Sequence, residues 1–234
     1  MKVQEATMAH ARLYGIIGCL AALAAVVADL ALQYTTNPAH LGALDYSYFL
    51  DVSPTRIQIG FFLGVIAILL EIAGLWYVAQ GLVPAGKRFW LPFFLLSAFI
   101  TALGAVFHAH AAFLGLVVKA QSQSPDGARQ VFTMLMAELV SYRAALIGVL
   151  FVGLILFSLW YAFVVIYKKT AYPRYAALFN PLLLLICFAI LGFVIAPLRF
   201  VLLPAGINLA NFLFFALTIL VTRDDGSYIF PSAA

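Results

Sequence analysis

Charge is what this chain has least of. Of its 234 residues only 9% are Asp, Glu, Lys or Arg, and 65% are hydrophobic, whereas an ordinary soluble domain is about 25% charged and about 45–50% apolar. Too few polar side chains exist to coat a water-facing surface, which excludes a soluble globular enzyme. Disorder is excluded from the opposite side, because it requires low hydrophobicity and high charge. Cysteine is nearly absent: Cys19 and Cys187 allow neither a disulfide framework nor a thiolate zinc cluster, and neither has a CxxC partner. No Walker loop, GxGxxG, nucleophile elbow or SxxK context is present. The net charge of +4 is spread between apolar runs instead of clustered, so nucleic acid is not an expected partner.

What the chain has is long apolar runs, with a mean hydropathy of +1.07. A membrane-crossing helix needs about 20 predominantly apolar residues. Such runs occupy Leu13–Tyr34, Ile57–Leu82, Phe89–Val118, residues 142–167 within Val131–Tyr167, Leu182–Leu203 and Ile207–Val221. The expectation is an all-α, polytopic membrane bundle of six transmembrane helices forming one domain over residues 1–234. The first run is too long for a signal-peptide core and reads as a permanent anchor. With the N-terminus inside, the inner segments hold Lys2, Arg12, Lys87, Arg88, Lys168, Lys169, Arg174 and Arg223, and the outer ones Arg56, Lys119, Arg129, Arg143 and Arg199. That bias favours both termini in the cytoplasm.

Boundary chemistry sharpens the element limits. Ser53-Pro54 supplies a capping hydroxyl and a proline at the first helical position. Ser124-Pro125-Asp126 repeats the pattern and starts a helix well before the apolar core of the fourth span, so spans three and four must tilt or project as a hairpin. Asn180-Pro181 marks the start of the fifth helix.

Lipid tails are as apolar as leucine, so small and polar residues identify the inward faces. Gly15, Gly18, Ala22, Ala25, Asp29 and Gln33 step by three or four along the first helix. Gly60, Gly64, Ala67, Glu71 and Gly74 do so along the second, and Ser97, Thr101, Gly104 and His108 along the third. In the sixth, Asn208, Asn211, Thr218 and Thr222 form a line that Phe215 interrupts. Close packing accounts for the glycines and alanines. An Asp or Lys at a helix centre costs about 2.5–3.5 kcal/mol, so Asp29 and Glu71 must face the bundle interior, water or a partner, or be protonated.

Depth then gathers the polar residues. Asp29, Gln33, Arg56, His108, Glu138, Tyr142, Arg143, Arg199, Asn208 and Asn211 all fall towards the outer side in this topology, which implies an outward-facing polar cavity. His108 and His110 stand two apart on a helix, about 200° around it, and cannot readily hold one ion. No metal and no other cofactor is expected. Acid–base chemistry remains. Asp29 or Glu138 would donate or accept a proton, His108 would relay it and Tyr142 would orient a substrate. Gln33, Arg56, Glu71, Thr101, Arg143, Arg199, Asn208 and Asn211 would line the binding site, the arginines pairing with the carboxylates or with an anionic headgroup. His108 continues the small-residue stripe and is expected to face the cavity, with His110 turned away from it.

Arg12-Leu13-Tyr14-Gly15, Asp29 near the end of span one, Arg56 opening span two and His108 in span three together resemble an uncharacterised class of bacterial multi-span membrane proteins. The resemblance covers roughly the first half of the chain. It implies a compact helical fold in the bacterial inner (cytoplasmic) membrane and no assigned activity. Small membrane terpene cyclases and sterol isomerases also use intramembrane carboxylates on lipophilic substrates, an analogy of chemistry and not of motif. The leading expectation is therefore a membrane-embedded isomerase- or cyclase-like enzyme surrounded by membrane lipids and acting on a lipophilic small molecule. A second is a non-catalytic lipid-binding or complex-assembly subunit, partnered by another membrane protein or by further copies of itself. A small-solute transporter is the third.

The topology has a direct test. With Cys19 and Cys187 replaced by serine, a cysteine introduced at Ser47 should react with an impermeant thiol reagent applied from outside, and one at Gly86 should not. The reverse labelling pattern would invert the orientation.

Overall fold

The computed structural model describes residues 2–40 and 45–222, with side chains in the first helix from residue 11 onward. Among the described residues the protein is all-α: α1 (Lys2–Gln33), α2 (Pro54–Leu82), α3 (Lys87–Gln123), α4 (Asp126–Tyr167), α5 (Pro181–Val194) and α6 (Arg199–Val221). Short 3-10 turns lie at Ser47–Asp51, Val83–Ala85, Arg174–Phe179 and Ala196–Leu198. Among the described residues five stretches, ending with Ala196–Val221, are long and apolar enough to cross a membrane; α5, with 14 residues, is not.

Local chemistry explains the helix starts. The Ser53 side chain accepts from the Arg56 backbone N–H at 3.2 Å, ahead of Pro54 at the first helical position. Asn180 does the same for α5, accepting from the Leu183 N–H at 3.2 Å. The Ser124-Pro125-Asp126 segment departs from that pattern. Pro125 is the cap residue, and the Ser124 hydroxyl donates back to the Ala120 carbonyl at 2.7 Å, so it finishes α3 instead of capping α4.

The boundary between α5 and α6 is also displaced. Hydropathy puts the break at Pro204–Gly206, but α5 ends at Val194, Ile195 is extended, and Pro204 lies inside α6. Both prolines sit in apolar surroundings, so hydropathy does not separate them. A proline has no backbone N–H with which to continue a helix, and here the chain breaks just before Pro197, where Ile195 is extended and Ala196–Leu198 form a 3-10 turn. The shift carries Asn208 and Asn211 away from the turn and well into α6.

Packing follows chain order. The helix α1 lies along α2 and α6, α2 along α3, α3 along α4, and α5 along α6. Residues 34–40 and 45–53 lie at one end of the bundle, the loop end; the turns at 83–86 and 168–173 define the base. At the loop end Leu32, Phe49, Ile57 and Leu114 form a packed cluster. Towards the base, Phe93, Phe157, Tyr161, Tyr172, Phe214 and Phe215 form the larger one, with Tyr161 edge-on to Phe214 at 5.1 Å. The α3–α4 turn projects past the loop end: Lys119 already reaches the Leu50 carbonyl, at 3.3 Å.

The glycine stripes of α1 and α2 face each other. A Cβ on Gly18 would collide with the Gly74 backbone, and one on Gly74 would also strike the Phe215 ring at 3.0 Å. Phe215, which breaks the polar line of α6, is thus the bulky partner that fills the hollow left by two glycines. We expect Gly74→Leu to destabilise the protein by about 1–3 kcal/mol through overpacking, read as a fall in thermal unfolding temperature in detergent. Gly148→Ala, where a Cβ would meet nothing within 4 Å, should cause no fall. Equal effects would contradict this packing.

Candidate functional site

The polar residues between the two packed ends surround an elongated cavity of about 320 Å³. Its central group is His108. The Nε2 of His108 lies 2.8 Å from the Gly60 carbonyl oxygen, and Nδ1 lies 3.2 Å from Oδ1 of Asp29. A carbonyl can only accept, so Nε2 carries a proton. For the contact of Nδ1 with Oδ1 to be attractive one further proton is needed there, giving either an imidazolium–carboxylate pair or an imidazole–carboxylic acid pair. Both states are neutral overall, so moving that proton changes no net charge in a buried site. The second oxygen of Asp29 accepts from Asn208 Nδ2 at 2.7 Å.

The sequence makes room for this arrangement with Gly64. A Cβ there would overlap the His108 ring, so α3 can bring an imidazole against the α2 backbone only because that position lacks a side chain. Nearer the base, Asn211 Nδ2 donates to Glu71 Oε2 at 2.7 Å, while Glu71 Oε1 is buried without a hydrogen-bond partner. At the loop end, Arg143 is buried with its guanidinium 4.2 Å from the Phe107 ring centre and 5.6 Å from that of Tyr46. Tyr46 adopts φ 62°, ψ 21°, a left-handed conformation that costs a non-glycine residue about 1 kcal/mol or more.

Of the residues expected to form the site, Asp29, Gln33, Glu71, Thr101, His108, Arg143, Asn208 and Asn211 line the cavity. Four others do not. Arg56 donates through Nη2 to the Leu30 and Tyr34 carbonyls, both at 3.0 Å, and so closes the C-terminal end of α1. Glu138 and Tyr142 are exposed on the outside of α4, Tyr142 by 61%. Arg199 opens α6 against Phe200. The expectation that Glu138 and Tyr142 converge with Asp29 is corrected by helical phase. The face of α4 that meets the cavity runs Arg143, Ile147, Leu150, Leu154, Phe157, and Tyr142 lies about 100° and Glu138 about 140° from Arg143 around the axis. Among the described residues the expected pairing of Arg143 or Arg199 with Asp29, Glu71 or Glu138 is likewise not formed. His108 lines the cavity and His110 does not.

Beyond the cavity, Asp51 joins the two described parts of the loop, accepting from the Thr35 hydroxyl at 2.5 Å and lying 2.9 Å from His40 Nδ1. The Thr35 hydroxyl holds the Asp51 carboxyl below its usual range. Among the described residues no three His, Cys, Asp or Glu side chains gather closely enough to hold a metal ion.

A family model described as a family of unknown function, DUF6796, matches residues 1–224. The chain belongs to that family. No curated protein and no solved structure matches it. In this member of DUF6796 the match runs through every residue of the cavity. Sequence reasoning passed over the apolar wall (Phe107, Leu150, Leu154 and Phe157) and the Gly60 carbonyl. The alignment of Arg143, Ile147, Leu150 and Leu154 at helical spacing would have identified that wall.

If Gly64 exists to admit His108, the two positions must be energetically coupled. Gly64→Ala should destabilise the protein, and the same change in a His108→Ala background should cost less by at least about 1 kcal/mol in a double-mutant cycle. Additive effects would separate the glycine from the histidine.

Proposed function

We propose that the protein is an integral membrane enzyme that performs general acid–base chemistry on a lipophilic substrate, isomerase- or cyclase-like in type. The single observation carrying this is the 3.2 Å pairing of His108 Nδ1 with Asp29 Oδ1 in a cavity whose α4 wall below Arg143 is aliphatic and aromatic. Gly60 and Asn208 fix the orientation of both partners, so the pair can give or take one proton without reorganising. Glu71 supplies a second carboxyl group, with one oxygen free of protein partners. Acid–base catalysis by a positioned side chain contributes about 10²–10⁴-fold, a scale suited to shifting a double bond or initiating a ring closure.

Six crossings of a bacterial inner membrane with both termini cytoplasmic fit this reading. The fifth crossing combines the 3-10 turn Arg174–Phe179 with α5, about 12 Å at 2.0 Å per residue and about 21 Å at 1.5 Å per residue, against a hydrocarbon core of about 30 Å. A second reading, a non-catalytic lipid-binding or assembly subunit, draws on one observation. The Asn208–Asp29 and Asn211–Glu71 bonds tie α6 to α1 and α2 and could serve cohesion alone.

A test that needs no named substrate uses deuterium. Membranes containing the protein, incubated in heavy water with the total lipid extract of the expressing cells, should incorporate deuterium into a specific lipophilic species, read by mass spectrometry. Asp29→Asn keeps a donor towards His108 and an acceptor towards Asn208 but fixes the proton, and should lower the labelling rate at least about 100-fold. Labelling no greater than that of membranes lacking the protein would overturn the catalytic reading.

A further inference from the structure

The cavity has a direction. Along α4 its lining begins at Arg143 and continues through Ile147, Leu150, Leu154 and Phe157, about 21 Å at 1.5 Å per residue. Everything on that wall below Arg143 is apolar. Across the cavity the polar groups are also graded: Asp29 and His108 lie at the Asn208 level of α6, and Glu71 one turn nearer the base at Asn211. The helices α4 and α6 do not pack along one another. Phe151 on one and Leu203 and Ile207 on the other both line the cavity and are 41–49% exposed, so the cavity opens sideways between them at an apolar level.

Arg143 is the unresolved charge in this arrangement. It is 8% exposed, it rests on two aromatic faces, and its Nη1 is buried with no acceptor from the protein. A guanidinium cannot shed its proton to relieve burial, and an isolated buried charge is costly unless paired. Aromatic faces stabilise a cation but accept no hydrogen bond along the Nη1–H direction. The missing partner is an anion, and the planar fork of arginine suits a carboxylate or phosphate.

On the reading that this cavity receives a lipophilic substrate, we propose that the substrate is an amphiphile with an anionic head, carboxylate or phosphate, on a single aliphatic chain. The head docks on Arg143 and the chain runs along α4 towards Phe157, having entered between α4 and α6. A volume of about 320 Å³ drawn out over such a length admits one chain and not two. In this pose Asp29 and His108 stand beside the part of the chain nearest the head, and Glu71 beside atoms further along it.

Binding can be measured without turnover. The protein, purified in an uncharged maltoside detergent, is titrated with radiolabelled hexadecanoate, hexadecyl phosphate and hexadecanol, with inorganic phosphate as competitor. Hexadecanoate or hexadecyl phosphate should bind saturably, one per chain, at least about tenfold more tightly than the alcohol, and inorganic phosphate should not displace it. Arg143→Gln should erase the preference for the anion, while Arg143→Lys should keep part of it. Equal binding of hexadecanol, displacement by inorganic phosphate, or an undiminished preference in a folded Arg143→Gln protein would overturn the proposal. Should Arg143→Gln not fold, the comparison of anion with alcohol in the unmodified protein decides alone. Anion-selective binding without deuterium labelling would sink the catalytic reading and leave this inference standing; labelling of a lipophile without anion preference would do the reverse.

Discussion

The arrangement around His108 depends on one contact, the approach of its imidazole to the backbone of α2. Because Nε2 is committed to the Gly60 carbonyl, the other ring nitrogen faces Asp29, and because Asp29 is also held by Asn208, contacts centred on one imidazole join four helices. The room for this comes from Gly64. Hydrogen bonds between membrane helices average only about 0.6 kcal/mol, so a chain of three such contacts contributes little to cohesion for the number of ionisable groups it buries. Packing of Phe215 into the Gly18–Gly74 hollow and the aromatic cluster near the base are better suited to that task. The disproportion between cost and cohesion is the reason to read the His108 network as chemistry and the glycine–phenylalanine contact as scaffold.

Much of the fold was legible because its signals are local. A run of apolar residues needs no knowledge of its neighbours to be identified, and a serine or asparagine before a proline announces a helix start at Ser53 and Asn180. The α5–α6 boundary was not legible, since Pro197 and Pro204 both sit in apolar surroundings and only tertiary packing selects which one breaks the chain. Among the site residues, the stripe that carries His108 beside Gly104 and Thr101 was readable from helical spacing. Glu138 and Tyr142 were misplaced because membrane depth was used without rotational phase. Two residues at one depth on a helix can look in opposite directions, and depth follows from sequence position far more readily than orientation does.

The same distinction explains Arg143. Its neighbours in sequence gave no hint of Phe107 on α3 or of Tyr46, whose left-handed backbone brings a ring over the guanidinium. Tyr46 is the one described non-glycine residue with positive φ. Strain of this kind persists where surrounding contacts over-determine it. Here Tyr48 and Phe49 anchor the following turn in the loop-end cluster, and the strained residue lies between that anchor and Arg143.

The gap between α4 and α6 follows from the polar bonds of α6. Asn208 and Asn211 lie three residues apart on one helix and reach Asp29 on α1 and Glu71 on α2. Both bonds draw α6 towards α1 and α2, and Phe215 locks it there against their glycines. An α6 held by three such contacts on one side has no freedom to close on α4. The space is bridged nearer the base by the Arg174–Phe179 turn, whose Ala176 and Ala177 join the aromatic cluster, and above that only in part by α5, which touches both helices and sets Leu185 in the cavity wall. The two asparagines therefore complete the hydrogen bonding of the buried carboxylates and also hold the bundle apart where those carboxylates meet the cavity.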